Sequence, residues 1–151
     1  IGVHYYSAGP LLRQAVASVH CQVEGIYSHF ANSDSLDLSS AQEQLARFQQ
    51  VLALAEQEGL RPRYRHIANS GAILQLPESH LDIVRPGILF YGVYPNARLP
   101  YTIPVKPALT WKSRVVYFKV VQPGHPVSYG STWQTDHQVR VVTVPVGYGD
   151  G

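Results

Sequence analysis

The sequence predicts a mixed fold, an α/β region followed by an all-β region, and three observations support this. Short apolar runs alternate with helical patterns up to about Gly92, as in parallel βαβ units. Four prolines then fall within residues 94–107, where they interrupt helices and strand ladders alike. Beyond them the chain has long β-like runs and no helical pattern. We therefore predict one domain over residues 1–95 and a second over residues 96–151.

The first elements of the α/β region follow from their periodicity and from capping residues. A helix is predicted from about Leu11 to His20, and a strand over residues 23–30, VEGIYSHF. The clearest helix comes next: Ser39 and Ser40 are candidate N-caps, apolar residues recur at helical spacing, and Gly59 is suited to the C′ position.

The rest of the α/β region repeats the strand–turn–helix plan on a smaller scale. A strand is predicted to end near Ala68, followed by a polar hinge and a short helix that begins near Ser70. A further strand is predicted up to about Arg85, followed by a Pro-Gly turn and a short apolar segment. In the all-β region the strand candidates are residues 108–121 and 138–147.

Composition excludes several functional classes. Of the 151 residues, 45% are hydrophobic and 15% are charged, which is usual for a globular protein. The formal charge of +2 comes from scattered cations, so we expect no nucleic-acid partner. No apolar run approaches the roughly 18 residues of a membrane-spanning helix, and the single Cys21 permits no internal disulfide. We expect a cytoplasmic protein with no membrane partner.

The ends of the sequence predict that it is an internal segment. It starts with Ile1 and contains no methionine, and it stops just after an apparent strand delivers Tyr148 into a turn. If the βαβ units belong to a (β/α)₈ barrel, which takes roughly 200 residues at least, only its last units are present.

Three strand-to-loop junctions carry the polar groups that are candidates for chemistry. They contain His29, then Asn69 with Ser70, and then Arg85 with Gly87 and Ile88. Barrel enzymes build their active sites at this end of their strands, and short helix starts in the last loops commonly hold a phosphate. The residues therefore suggest an anion site with an arginine at its mouth.

Each of these signals also has a purely structural interpretation. His29 is compatible with a backbone hydrogen bond at a strand end, Asn69 and Ser70 with helix capping, and Arg85 with a surface charge. The remaining histidines are dispersed and are interpreted as structural, and no metal-ligand spacing occurs. The GYGDG segment at the end matches a nucleotide-binding loop only weakly, since its GxGxG spacing is degenerate.

Five segments in order, EGIYSHFANSD, RHIANSGAIL, VRPGILFYG, VSYGSTW and VPVGYGDG, closely resemble bacterial alanine racemases, which are fold-type III pyridoxal 5′-phosphate enzymes. The resemblance implies the C-terminal part of a (β/α)₈ barrel followed by the start of an all-β domain. It also implies a homodimer with shared active sites that interconverts L-alanine and D-alanine, supplying D-alanine for peptidoglycan.

The resemblance assigns roles to the candidate residues. Ser70, Gly87 and Ile88 match the positions that hold the cofactor phosphate, and Asn69 lies beside them in the same loop. Arg85 matches the arginine that faces the pyridine nitrogen, with His29 behind it in a supporting network.

The resemblance also explains the end of the chain. Tyr148 matches the catalytic tyrosine, which acts on one face of the substrate while the lysine that holds the cofactor acts on the other. None of Lys106, Lys112 and Lys119 matches that lysine, so the isolated 151-residue chain is expected to be inactive.

Two alternatives stay open at this point. One is a serine or broad-spectrum amino-acid racemase of the same fold. The other is a non-catalytic pyridoxal phosphate-binding relative, in which Tyr148 would have no purpose.

Overall fold

Regular structure is concentrated in the earlier part of the chain in the computed structural model, which describes residues 2–150. The helices are α1 (Ala8–Ala17), α2 (Ser39–Gln57), α3 (Ser70–Gln75) and α4 (Gly87–Phe90). The strands are β1 (Gly25–Tyr27), β2 (Tyr64–His66), β3 (Tyr117–Val121) and β4 (Val139–Thr143). Single 3-10 turns lie at Tyr5–Ser7, Pro77–Ser79 and Tyr129–Ser131.

The chain divides into two units, Ile1–Ala108 and Leu109–Gly151. The predicted boundary lies at residue 96, whereas in the structure residues 96–108 belong to the first unit. Leu99 is buried against Leu74 and Leu89, and the Ala108 N–H donates to the Tyr91 carbonyl at 3.0 Å. The proline-rich segment therefore packs on the first unit, because its apolar side chains have a place in that unit's core.

The first unit contains the predicted βαβ arrangement. β1 and β2 are parallel neighbours with Gly25 opposite Tyr64 and Tyr27 opposite His66, and α2 lies between them in sequence. The main core forms where α2 covers this sheet and α3; its buried members are Phe30, Ala41, Leu45, Phe48, Ile67, Ala68, Ala72 and Leu76.

Helix α2 begins differently from the prediction and ends as predicted. Ser39 is the first helical residue, and the helix has no side-chain N-cap at Leu38. Instead, the Asp37 carboxylate accepts a hydrogen bond from the Ser39 N–H at 2.9 Å, which lowers the pKa of Asp37. At the other end Gly59 has a φ of +86°, the left-handed conformation that favours glycine after a helix.

The strand predicted up to Arg85 does not form, and this prediction is corrected. Residues 81–86 run beside β2 and make two parallel-type backbone bonds, from Asp82 N to Arg65 O at 3.1 Å and from Arg85 N to Ala68 O at 3.0 Å. Leu81 has a φ of +47°, and Pro86 has no N–H, so the ladder cannot extend in either direction.

The second unit contains a single antiparallel pair of strands among its described residues. β3 pairs with β4 from Tyr117 opposite Thr143 to Val121 opposite Val139. Both strands are shorter than the apolar runs 108–121 and 138–147 that predicted them, since sequence hydrophobicity extends beyond the residues that find a backbone partner.

Candidate functional site

Asn69 joins the loop after β1 to the start of α3. It is the N-cap of α3, and its side-chain oxygen accepts from Ala72 N at 3.3 Å and from the Ser33 hydroxyl. Its amide nitrogen donates to the Phe30 carbonyl at 3.3 Å. The capping interpretation of Asn69 is therefore correct, and the same cap fixes where the next residue, Ser70, lies.

Ser70 connects the starts of α3 and α4. Its hydroxyl donates to the Pro86 carbonyl and accepts from Leu89 N at 3.2 Å. Gly87 follows with a φ of +42°, and a Cβ added there would lie 3.4 Å from the Ser70 hydroxyl oxygen. The two short helices thus begin beside one another, with a space over Gly87 that any side chain would fill.

The start of α4 supplies backbone N–H groups as hydrogen-bond donors. Gly87 and Ile88 are its first two residues, and the first N–H groups of a helix have no acceptor within it. Both residues are exposed. Such N–H groups beside a hydroxyl make a site suited to an anion.

Arg85 is held close to this site by several acceptors. One terminal nitrogen, Nη2, donates to the Ser28 carbonyl at 2.6 Å and to His29 Nδ1 at 3.2 Å, and it lies 3.5 Å from the Ile67 carbonyl. The other terminal nitrogen, Nη1, donates to His66 Nδ1. The guanidinium therefore links the ends of both strands of the sheet to the segment that leads into α4.

The contact with Arg85 determines the tautomer of His66. A guanidinium only donates, so His66 must accept through Nδ1 and, as a neutral ring, carry its proton on Nε2. Burial lowers the pKa of His66, and the charge of Arg85 lowers it further. Both effects favour the neutral ring that the hydrogen bond requires.

The charge of Arg85 is not neutralised by an acidic side chain. Across residues 2–150, the structure contains no carboxylate within 4.0 Å of this guanidinium. Its partners are the Nδ1 atoms of His29 and His66 and backbone carbonyls. The cation therefore remains available to an electron-rich atom of a ligand.

Tyr148 lies in the second unit, on a turn after β4. The turn is closed by two hydrogen bonds, from Gly147 N to the Asp150 carboxylate at 2.7 Å and from Asp150 N to the Gly147 carbonyl at 3.1 Å. The Tyr148 side chain is fully exposed. The structure thus brings together His29, Asn69, Ser70, Arg85, Gly87 and Ile88 within the first unit, while Tyr148 belongs to the second.

Two residues of this site were missed by sequence reasoning. His66 is among the dispersed histidines interpreted as structural, and Tyr27 has no predicted role, yet both contact Arg85. Their signal is positional: each is the last residue of its strand, and the strands pair in register at these residues. This signal becomes readable only once the pairing of β1 with β2 is known.

Neither a cluster of metal-ligating side chains nor a membrane-spanning helix occurs among the described residues. Residues 2–150 include no cluster of three or more His, Cys, Asp or Glu side chains suited to a metal ion. Over the same residues, none of the helices has the length and apolar character needed to cross a membrane.

Comparison with protein families agrees with the resemblance noted in the sequence. Residues 1–95 match the model "Alanine racemase, N-terminal domain" and residues 108–151 match "Alanine racemase, C-terminal domain". An alanine racemase of Carboxydothermus hydrogenoformans is 43% identical over 148 residues, which are 97% of this chain and 40% of the relative.

Solved structures give the same result. An alanine racemase from a D-cycloserine-producing Streptomyces lavendulae superposes with a TM-score of 0.81 at 40% identity, over 99% of this chain and 41% of that one. An alanine racemase of Bacillus anthracis with bound L-Ala-P superposes with a TM-score of 0.74 at 30% identity, over 99% of this chain and 40% of that one. The chain spans about two fifths of the length of these relatives.

Proposed function

The chain belongs to the alanine racemase family, and we propose that it is part of a pyridoxal 5′-phosphate-dependent enzyme that interconverts L-alanine and D-alanine. The observation that carries the proposal is the segment 85–88. Within four residues it supplies a cation held by imidazole and carbonyl acceptors and two helix-start N–H groups beside a hydroxyl. The N–H groups and the hydroxyl suit the phosphate of the cofactor, and the cation suits its pyridine nitrogen.

The anion site fits a phosphate. Gly87 leaves open the space that a Cβ would occupy, 3.4 Å from the Ser70 hydroxyl oxygen. The N–H groups of Gly87 and Ile88 are donors without acceptors inside α4. The Ser70 hydroxyl can rotate from the Pro86 carbonyl towards a phosphate oxygen, because a hydroxyl is free to turn about its C–O bond.

Arg85 fits the pyridine nitrogen of the same cofactor. Pyridoxal phosphate, when bound, supplies an electron sink for the pair left at the α carbon when its proton departs. A guanidinium stays charged and donates without releasing a proton, so it leaves the ring nitrogen it faces unprotonated. The proton is then more readily returned to the α carbon than elsewhere, which favours racemisation over transamination.

We assign Tyr148 the role of an acid/base group that removes or returns the α proton. Its turn presents the phenol free of protein contacts, as a group that must reach a substrate requires. Racemisation needs two such groups, one on each face of the substrate. The second, a lysine in the family, matches no lysine of this chain, so we propose that these 151 residues alone are inactive.

The proposal includes the substrate, the oligomeric state and the use of the product. The Bacillus anthracis relative holds L-Ala-P, which supports a small amino acid as substrate. We further propose a homodimer with shared active sites, and D-alanine destined for peptidoglycan.

The proposal is tested on the full open reading frame that carries this sequence, loaded with pyridoxal phosphate. L-Alanine in D₂O is expected to gain deuterium at the α carbon and to yield D-alanine by chiral analysis. Tyr148→Phe should lower kcat by about 10²- to 10⁴-fold, because it removes one acid/base group. Tyr117→Phe, an exposed tyrosine on β3, is the matched control and should leave kcat unchanged.

Two results would contradict the assignment. Cofactor binding without any α-proton exchange of L-alanine would move the function to another amino acid, which exchange of L-serine would identify, or to a non-catalytic relative. Wild-type kcat in Tyr148→Phe would remove the acid/base role of that residue.

A further inference from the structure

Tyr27 and His66 form a stacked pair beside Arg85. The two residues are paired in register at the ends of β1 and β2, and their rings lie 5.2 Å apart, centroid to centroid, with an angle of 3° between their planes. The Arg85 guanidinium carbon lies over the Tyr27 ring, 5.7 Å from its centroid. Because His66 Nδ1 also accepts from Arg85, each of the three groups contacts the other two.

The hydrogen bonds of Arg85 leave its guanidinium free to tilt out of plane, and the Tyr27 ring restricts that tilt. Its bonds to Ser28, His29 and His66 act on the terminal nitrogens, at the edge of the planar guanidinium. They resist sliding within the plane more than tilting out of it. An aromatic face over the central carbon opposes tilting, and a cation is attracted to such a face within about 6 Å of the centroid.

The same ring also fixes His66. A stacked imidazole cannot rotate about its χ2 angle without leaving the Tyr27 face, so Nδ1 stays directed at Arg85. A half-turn about χ2 would exchange Nδ1 with Cδ2, so a C–H group would face the guanidinium and the acceptor would be lost. Tyr27 therefore acts on Arg85 twice, through the cation and through the acceptor that holds it.

We propose that Tyr27 is a positioning residue that holds Arg85 and His66 in the geometry of the candidate site. Its consequence for catalysis rests on the proposed function, in which Arg85 faces the pyridine nitrogen. The ring face carries the effect, and the Tyr27 hydroxyl makes no hydrogen bond within the part of the chain that the structure describes. Phenylalanine should therefore replace Tyr27, whereas an aliphatic side chain should not.

The first test uses the cofactor-free protein from the full open reading frame. The ¹⁵N chemical shifts of the His66 ring report which nitrogen carries the proton. Wild type and Tyr27→Phe should show a single tautomer with the proton on Nε2, and Tyr27→Leu should show a mixture. A control variant, Tyr64→Leu, removes a tyrosine of β2 that lies against Arg63 instead, and should keep the wild-type His66 shifts.

The second test uses the loaded enzyme. Tyr27→Leu should lower kcat by about fivefold to tenfold, the equivalent of one cation–π contact, and should shift the cofactor absorption band. KM should change less than kcat, since Arg85 is assigned to the cofactor and not to the substrate. Tyr27→Phe and Tyr64→Leu should match wild type in both measurements.

The outcomes separate this inference from the proposed function. Unchanged His66 shifts in Tyr27→Leu would overturn the positioning role, whatever the activity. A wild-type protein that racemises no amino acid would overturn the proposed function, while the His66 shifts would still decide the role of Tyr27. Equal loss in Tyr27→Leu and Tyr64→Leu would also overturn the positioning role, because the effect would then be general destabilisation of the sheet.

Discussion

The two units of the chain differ in how much of their apolar surface they bury. All buried hydrophobic residues of the described chain except Val121 lie in the first unit. In the second unit, apolar side chains of both strands remain exposed, among them Tyr117, Phe118, Val120 and Val142. A helix covers the parallel pair of strands in the first unit, whereas the second unit is a two-stranded sheet, which is marginal by itself in water.

This difference matters for the candidate site. The residues assigned to the cofactor must be held with precision, and they stand on the unit that has its own core. Tyr148 stands on the unit that has almost none. We expect substitutions in the first unit to be costly and matched substitutions in the second to be mild, and three pairs of variants test this.

The largest difference is expected between two phenylalanines. Phe48 in α2 is buried in the main core, whereas Phe118 in β3 is 57% exposed. Phe48→Ala should lower the free energy of unfolding by about 3–5 kcal/mol through lost burial and the cavity left behind. Phe118→Ala should cost about 0.5 kcal/mol. Urea unfolding of the purified 151-residue variants measures both, and equal losses would refute the contrast between the units.

A smaller difference is expected between two glycines with nearly the same backbone. Gly92 has a φ of +79° and Gly124 a φ of +78°, so alanine is strained at both. A Cβ at Gly92 would also overlap the Lys106 carbonyl oxygen, whereas a Cβ at Gly124 meets nothing within 4 Å. Gly124→Ala should cost about 1–2 kcal/mol from strain alone.

Gly92→Ala should cost about 1–3 kcal/mol more than Gly124→Ala, because the backbone around Lys106 has to move. Thermal unfolding of the two variants isolates this steric part. Equal melting temperatures would mean that residues 96–108 can move without loss of stability, contrary to their packing on the first unit.

The smallest effect concerns an exposed ion pair. Arg65 binds the Asp82 carboxylate through its side chain at 2.8 Å and 3.1 Å and through its backbone N–H at 2.8 Å. These hydrogen bonds lower the pKa of Asp82. Because the folded pKa is depressed, the stability that the pair contributes is present above about pH 4, the usual aspartate pKa, and is lost as the pH falls through the folded value.

Asp82→Asn should therefore reduce the decrease in melting temperature between neutral and acidic pH. Asp136→Asn, at an exposed carboxylate of the second unit beside His137, should leave that decrease as large as in wild type. An identical pH profile for wild type and Asp82→Asn would show that the pair contributes nothing measurable, which is the common result for exposed ion pairs.

Several features of the fold could be predicted because their cause is local. Gly59 ends α2 because a left-handed residue is needed there, and Asn69 caps α3 because its side chain reaches the N–H three residues on. In contrast, the sequence wrongly predicts a strand before Arg85. Its apolar pattern is that of a strand, but the segment is bounded by Leu81 and Pro86 and makes only two backbone bonds to its neighbour.

The candidate site shows the same division. Ser70, Arg85 and Gly87 could be found because hydroxyl, cation and glycine follow strands in a pattern suited to an anion. Tyr27 and His66 could not, because neither is unusual in its own segment and they meet only through the register of β1 with β2.

The sequence by itself determined the family, the order of α/β and β regions, and the residue types offered for chemistry, since motifs and periodicity are written along the chain. The tertiary structure alone decided that residues 96–108 pack on the first unit, and that Arg85 is held by two imidazoles and faced by the Tyr27 ring. The physical reason is that burial and protonation depend on groups distant in sequence. Arg85 lies 57 residues from Ser28, whose carbonyl it binds, and no local pattern encodes that contact.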